Sequence, residues 1–477
     1  MTKDDIMKTF RSFFSCCLFF LFVAAEAYAQ VRFPVRISSD NRYLVDHQST
    51  PFPILGRTAW CIISQPLTGQ HQFIDHTVSF GYNSIEVSAI CHWKMGNHAP
   101  FNGQGDLPFL KKLDGSLWKD SLDYRAGIHA PDFTTPNNVY WKLLDNFIAY
   151  CDRKGILVFL FPAYTGYHNS DQGWIEEMVA NGPQKVKAYG AWFATRYKKS
   201  KNIVWMLLGD DGNFSPEKKE AEAALISGLK SVKGQQSIYY TAESFSGQNS
   251  ADNIEFGKEM SLNAVYNWER DIPAQARLAY ARNPVMPSFL LEEPYDEEGP
   301  DGNNYNPHAI QPVRRFQWWA WLSSVGGYMA GNGYIWPFID PVWQQHLNSP
   351  GAQDMKRLNA FIRSVEWWKL VPSDLNGMDK LIIAGGGTDT AADYIAAACT
   401  RDRDVLIAYV PPEHQGPFTL DLSALKSSCK ASWFDPSSGK YIPVSGELTR
   451  NEEFNVPGNN RSGEKDWVLV IKRTTVK

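Results

Sequence analysis

Two acidic clusters in this sequence stand directly behind strongly apolar runs. Ile203-Val204-Trp205-Met206-Leu207-Leu208 leads through Gly209 to Asp210-Asp211, and Ser288-Phe289-Leu290-Leu291 leads to Glu292-Glu293. Two carboxyl groups that face each other can cleave a glycosidic bond: one protonates the leaving oxygen while the other attacks the sugar or activates water. Neighbours on an extended strand point to opposite sides, so one acid of each double is expected to face the other cluster. The same acids could instead cap helices or pair with arginine. Other apolar runs end in groups suited to holding a sugar, namely Trp60, Glu86, His92 with Trp93, Tyr164, Glu243, Asn267 with Trp268, and Trp336. Flat rings stack on sugar faces, and carboxylate, amide or imidazole groups bind hydroxyls. Each is a weak signal alone: Trp60 and Trp336 could equally be core, Glu86 a satisfied interior carboxylate, and His92 an ordinary loop residue.

Several other chemistries lack their signatures. The sequence has no Walker loop, no G-x-G-x-x-G after a strand, no G-x-S-x-G elbow and no H-E-x-x-H, which argues against nucleotide, serine-hydrolase and zincin mechanisms. No cofactor and no metal is required by this reading. A formal net charge of -4 and a pI near 6.2, without a long basic run, give no footprint for nucleic acid or for a membrane surface. An uncharged or weakly charged ligand, such as an oligosaccharide or polysaccharide, fits better. The 14% of aromatic residues, with 17 Trp and 21 Tyr, suits a ring-stacking site as well as it suits a large aromatic core.

The acids can meet only if the chain brings the ends of its apolar runs together. Eight such runs occur: Pro53 to Trp60, Ser84 to Ile90, Leu157 to Tyr164, Asn202 to Asp210, Ser237 to Glu243, Leu262 to Trp268, Pro287 to Glu292, and Gly326 to Gly331. Runs apolar on both faces and separated by helical stretches are the pattern of parallel strands covered by helices, and eight of them predict an α/β fold of the (β/α)₈ TIM-barrel type. In such a barrel the C-terminal strand ends converge on one mouth. The spacing predicts a helix over Trp141 to Lys154, stopped by Gly155, and another over Pro183 to Lys199. The Gly-, Pro- and Asp-rich segment from His92 to Asn138 is too long for an ordinary connection and is expected to wall the site. After Val371-Pro372 the runs shorten and alternate, as in Tyr394 to Ala398, Asp404 to Val410, Phe418 to Leu422, Ala431 to Phe434 and Trp467 to Ile471, which predicts a small all-β sandwich. The 477 residues thus divide into a leader over 1–29, a barrel over 30–372 and a sandwich over 373–477.

The leader has the order of a secretory signal: Lys3, Lys8 and Arg11, an apolar run from Phe13 to Ala25, then Ala27-Tyr28-Ala29 as an A-x-A cleavage site. The apolar run is shorter than the roughly 20 residues a spanning helix needs, so a secreted or periplasmic protein with no membrane span after signal removal is expected. Of the 7 Cys, Cys16 and Cys17 fall in the leader. The others, Cys61, Cys91, Cys151, Cys399 and Cys429, have no metal-like spacing, although Cys399 and Cys429 could pair after export.

The stretches Thr58-Ala59-Trp60, Phe80-Gly81-Tyr82-Asn83, Tyr189-Gly190, Arg196-Tyr197, Asn202-Ile203-Val204-Trp205 with Gly209-Asp210, and Glu292-x-x-Tyr295-Asp296 resemble the apiosidase-like barrel of glycoside hydrolase family 140. Trp433-Phe434-Asp435-Pro436 with Gly439, then Asp466-Trp467-Val468-Leu469, look like the β-sandwich often appended to it, which carries the name of a collagen-binding domain of a collagenase. The resemblance implies retaining hydrolysis with Asp210 as acid/base and Glu292 as nucleophile. Glu292 is preferred to Glu293 because it stands five residues after Pro287 and three before Tyr295. Glu293 and Tyr295 are then expected beside the sugar. The family's leading substrate is an apiosyl linkage in a pectin side chain of the plant cell wall. Two departures, Arg57 where an Asp is common and Leu208 where a second Gly is usual, lie beside these motifs and are expected to alter the sugar accepted. The competing reading is a non-catalytic glycan-binding or surface-attachment protein on the same scaffold.

Overall fold

The computed structural model describes residues 31–474 apart from 32, 96–97, 119–129, 168–171, 211–213, 268, 270, 293, 299–312 and 426–427. Asp211, Trp268, Glu293 and the whole of the leader therefore lie outside the described residues.

Each of the eight apolar runs carries a strand: β1 (Ile54–Thr58), β2 (Ser84–Ser88), β3 (Leu157–Phe161), β4 (Ile203–Leu208), β5 (Tyr240–Glu243), β6 (Asn263–Tyr266), β7 (Ser288–Leu290) and β8 (Gly327–Ala330). They lie side by side in the order β5-β4-β3-β2-β1-β8-β7-β6. First and last strand meet in parallel register, Gly327 opposite Ile54 and Ala330 opposite Arg57. Between β5 and β6 closure is made by Ser261 N–H and Leu262 N–H donating to the Tyr240 carbonyl, at 2.8 and 3.1 Å. The strands are buried on both faces, since one face fills the barrel and the other meets helices. Phe159 and Phe289, for example, meet inside it at 5.4 Å.

The helices follow from the same patterning. They are α1 (Leu67–Ser79), α2 (Asn138–Lys154), α3 (Ile175–Arg196), α4 (Pro216–Ser231), α5 (Ile272–Ala281), α6 (Arg314–Ser324) and α7 (Pro350–Arg363). Asn137 caps α2 by accepting from Val139 N–H, and Gly155 ends it in the left-handed conformation at φ 72°, as its sequence implies. The start expected at Pro183 is the second segment of a longer helix: α3 is interrupted at Gly182, where φ is 72°, because proline cannot continue the helical hydrogen bonds. Below the barrel, short strands Arg36–Ile37, Leu44–Val45 and Pro51–Phe52 form a plug whose Phe33, Leu44 and Phe52 join the barrel core.

The C-terminal region holds β9 (Leu370–Pro372), β10 (Ile382–Ala384), β11 (Ala396–Thr400), β12 (Val405–Val410), β13 (Phe418–Asp421), β14 (Cys429–Phe434), β15 (Tyr441–Pro443), β16 (Asn451–Phe454) and β17 (Trp467–Arg473). One sheet runs β9-β11-β12-β17-β14-β15 and the other β10-β13-β16, with Phe418, Trp433 and Phe454 packed between them. Cys399 on β11 and Cys429 on β14 are separated by β12 and β17. Three strand spacings of about 4.8 Å exceed the reach of a disulfide, and both are free thiols, so the pairing allowed by the sequence is corrected.

Helix α6 is buried on every face because the sandwich covers the side that would otherwise meet water. Trp318 lies parallel to Tyr409 at 5.8 Å, and the Trp319 indole donates to the Tyr394 carbonyl at 2.9 Å. The Arg314 guanidinium donates to both oxygens of Asp466 at 2.7 Å.

Candidate active site

The two expected carboxylates are both buried at the C-terminal ends of their strands, Asp210 after β4 and Glu292 after β7. Each depends on unusual backbone. Glu292 itself is left-handed, at φ 63°, and so is Leu208, two residues before Asp210, at φ 64°. Bulky residues adopt this region only when their surroundings hold them there, a condition concentrated at functional sites. Leu208 is held by its N–H donating to Glu222 on α4 at 3.3 Å and by its carbonyl accepting from Thr165 N–H at 3.0 Å. Gly209 brings the chain against Tyr164: a Cβ there would sit 2.7 Å from the tyrosine ring.

Around Glu292 two donors converge on one oxygen. The Trp60 indole N–H and the Tyr295 hydroxyl both donate to Oε1. The Tyr295 ring reaches this position across Gly331, whose absent Cβ would lie 1.9 Å from the ring. Trp60 is fixed in turn by stacking on Phe161 and by an edge contact with Tyr164, both at 4.8 Å. Asp210 accepts from the Tyr266 hydroxyl on Oδ2 at 3.2 Å, and its own N–H donates to the Tyr164 oxygen at 3.4 Å. The Tyr164 hydroxyl donates to Glu243 at 3.5 Å.

Burial sets the electrostatics. Loss of water pushes Glu292 up to about 8, opposed by the Trp60 donor and reinforced by the negative charges of Asp210 and Glu298. Glu86, buried within β2, is held well above the usual carboxylate range by burial and by Glu292. Among the described residues neither of its oxygens has a hydrogen-bond partner, which does not fit the reading of a satisfied interior carboxylate. Tyr164 stays a neutral phenol, being buried and close to Glu243, Asp210 and Glu292. Several acids in one dry site cannot all ionise, so protons must be shared among them.

Of the residues expected from sequence, the structure brings together Trp60, Tyr164, Asp210, Glu243, Glu292 and Tyr295, with Glu86 beside them. His92 and Trp93 form a separate cluster. The His92 imidazole lies 3.6 Å from Glu177, and both rings meet Trp174, at 5.0 and 5.8 Å. Trp336 is half-buried, and its carbonyl accepts from Cys61 N–H at 3.1 Å. Arg57 points away from the mouth, its guanidinium 5.0 Å from the Phe73 ring on α1, because strand neighbours alternate and Thr58 takes the other face. Any effect of Arg57 on the sugar accepted would therefore act through its neighbours rather than by contact. Sequence reasoning passed over Tyr266, the last residue of β6. Its signal was its place at a strand end beside the Asn267-Trp268 pair that drew attention instead. Among the described residues no group of His, Cys, Asp and Glu could hold a metal ion, and no helix is long and apolar enough to cross a membrane.

An eight-stranded parallel barrel with paired carboxyl groups at its C-terminal mouth is the architecture of a glycosidase. The comparisons agree: residues 38–369 match the apiosidase-like catalytic domain, and the chain belongs to that family and is a glycoside hydrolase. Residues 379–472 match the collagen-binding domain of a collagenase. Among solved structures, a glycoside hydrolase aligns at TM-score 0.73 and 21% identity over 94% of this chain and 99% of its own. A family 5 glycoside hydrolase from Bacteroides vulgatus ATCC 8482 aligns at 0.71 and 20%, over 94% and 96%. At these identities the likeness establishes the fold. No curated protein matches the sequence.

Proposed function

We propose that this glycoside hydrolase is an exported, retaining enzyme acting on pectic side chains of the plant cell wall, with an apiosyl linkage as its leading substrate. Asp210 is the acid/base and Glu292 the nucleophile. The observation that carries the assignment of roles is the pair of donors on one oxygen of Glu292. Two donors on Glu292 Oε1 favour its charged form and leave Oε2 for the anomeric carbon, and Asp210 across the mouth accepts from the Tyr266 hydroxyl on Oδ2.

In the working state the shared proton sits on Asp210, which relieves the repulsion that raises Glu292 and leaves Glu292 as the carboxylate. Asp210 donates this proton to the leaving oxygen as Glu292 Oε2 forms the glycosyl ester. Asp210, now a carboxylate, takes a proton from water as that water attacks the anomeric carbon and releases Glu292. The route requires the carboxyl groups to stand about 5 Å apart when the sugar is bound. Trp60, Glu86, Tyr164, Glu243 and Tyr295 bind and orient the sugar around the pair, with His92, Trp93 and Trp336 further out; Glu293 and Trp268, expected from the sequence to contact the sugar as well, lie outside the described residues.

The test is sugar release from pectic and hemicellulosic oligosaccharides by the wild type, Asp210→Ala and Glu292→Ala, with Glu293→Ala as control. Release by the wild type and the control but not by the first two supports the assignment and names the sugar. No release by the wild type from any substrate favours the glycan-binding reading, and loss in Glu293→Ala but not in Glu292→Ala moves the nucleophile.

A further inference from the structure

Each of the two donors on Glu292 stands close in the chain to a residue that lines one small pocket behind the barrel wall. It lies between β1, β8, α6 and α7 and is lined by Arg57, Tyr82, Asp296, Gln317, Asn332 and Ser349 among others. Arg57 stands three residues before Trp60 on the chain that leaves β1, and Asp296 immediately follows Tyr295. Both are buried, at 3% and 5% exposure. Among the described residues no carboxylate lies within ion-pair distance of Arg57. Its one hydrogen-bonding partner there is His76 Nδ1 at 3.4 Å. Burial works against the guanidinium's charge, which Tyr82 and then Asp296 favour, and one Asp296 oxygen accepts from Gly351 N–H at 3.0 Å. A buried cation must be compensated, and the pocket gives water centres about 20 Å³, enough for about one molecule.

We infer that Arg57 and Asp296 are positioning residues, bridged by water in this pocket, which clamp the segments bearing Trp60 and Tyr295 and so hold both donors on Glu292. The clamp has the polar partners a bridging water needs: guanidinium N–H groups on one side and a carboxylate on the other. Fully buried Gln317, whose amide atoms have no hydrogen-bond partner among the described residues, lines the same space. The clamp acts at a distance from the sugar. Its loss would affect the chemistry more than binding, because the hydrogen bonds it loosens run from Trp60 and Tyr295 to Glu292.

The effect on catalysis rests on the glycosidase reading, so the experiment has one arm that needs no substrate. Thermal unfolding of Arg57→Met, Asp296→Asn and the double variant should show coupling, the double variant melting no lower than the worse single one. Additive losses would overturn the bridge. On whichever substrate the wild type cleaves, Arg57→Met should lower kcat about tenfold with KM within about twofold. It should also move the acid limb of the kcat/KM profile to higher pH, since loosened donors favour the carboxylate less. Arg57→Lys, which keeps the cation, should restore most of both. An unchanged kcat and acid limb in Arg57→Met would overturn the positioning role, and if that variant does not fold, Asp296→Asn carries the same comparison. A wild type that cleaves nothing refutes the glycosidase reading and leaves the bridge to be decided by unfolding.

Discussion

At the scale of single residues, catalysis depends on how Glu292 is kept ionisable in a dry site. Burial raises it to about 8 and the Trp60 donor opposes that rise. Replacing Trp60 with Phe removes a hydrogen bond to the charged form while keeping most of the ring. The nucleophile works deprotonated, so the acid limb of kcat/KM should move to higher pH in Trp60→Phe, by about one unit for the roughly 1.4 kcal/mol of one charge-assisted bond. A limb that stays put or moves down would contradict the role given to Trp60. The two acidic clusters were legible because they follow apolar runs directly, whereas the choice of Asp210 and Glu292 within them came from the family resemblance. Trp60 was left between core and ligand contact, and the structure makes it both, packed on Phe161 and bonded to Glu292. The Trp60–Glu292 bond could not be read, since it joins residues 232 positions apart. His92 and Trp93 sat equally well at a strand end, yet Glu177 on α3 and Trp174 just before it are their partners.

At the scale of elements, helix α4 holds the end of β4 through Glu222. That side chain is fully buried and accepts from the strained Leu208, and burial raises it to about 7. Its folded value lies above the unfolded one, so the native state holds more protons between about pH 4.5 and 7 and loses stability as pH rises through that window. Glu222→Gln removes this titration. The variant should gain on the wild type by up to about 3 kcal/mol between pH 4 and pH 8, read as the difference in unfolding free energy. A pH-independent difference would show that Glu222 is not the titrating group. The eight strands and the Gly155 stop were plain in the sequence because period and capping are local. The length of α3 was not, because Pro183 looks like a helix start when the turns before it cannot be seen packing on the loop at Asn181, whose amide oxygen accepts from Phe133 N–H at 3.0 Å.

At the scale of the whole molecule, the sandwich completes the barrel. Helix α6 puts Trp318 against Tyr409 and Trp319 against the Tyr394 carbonyl. Arg314 finds in Asp466, which is 0% exposed, a buried bidentate partner. Alternating runs revealed a β-domain, but this interface left no period to read, and α6 looks simply like an aromatic-rich helix. A chain ending at Pro372 would expose these tryptophans and strip Arg314 of Asp466. Each buried Trp accounts for roughly 150–250 Å², worth about 4–6 kcal/mol at about 25 cal/mol per Å². The shortened chain should therefore be insoluble or melt more than about 10 °C below the full protein, by calorimetry or circular dichroism. A soluble barrel of unchanged melting temperature would show that the two regions are independent.

The central claim, a retaining reaction with Glu292 as nucleophile and Asp210 as acid/base, is tested most directly by supplying azide to the two alanine variants with an activated glycoside and determining the product's anomeric configuration by NMR. Azide should replace the second-step water in Asp210→Ala and give a glycosyl azide of retained configuration. In Glu292→Ala it should fill the nucleophile's place and give the inverted azide. Retained product from Glu292→Ala, or inverted product from Asp210→Ala, would contradict the assignment.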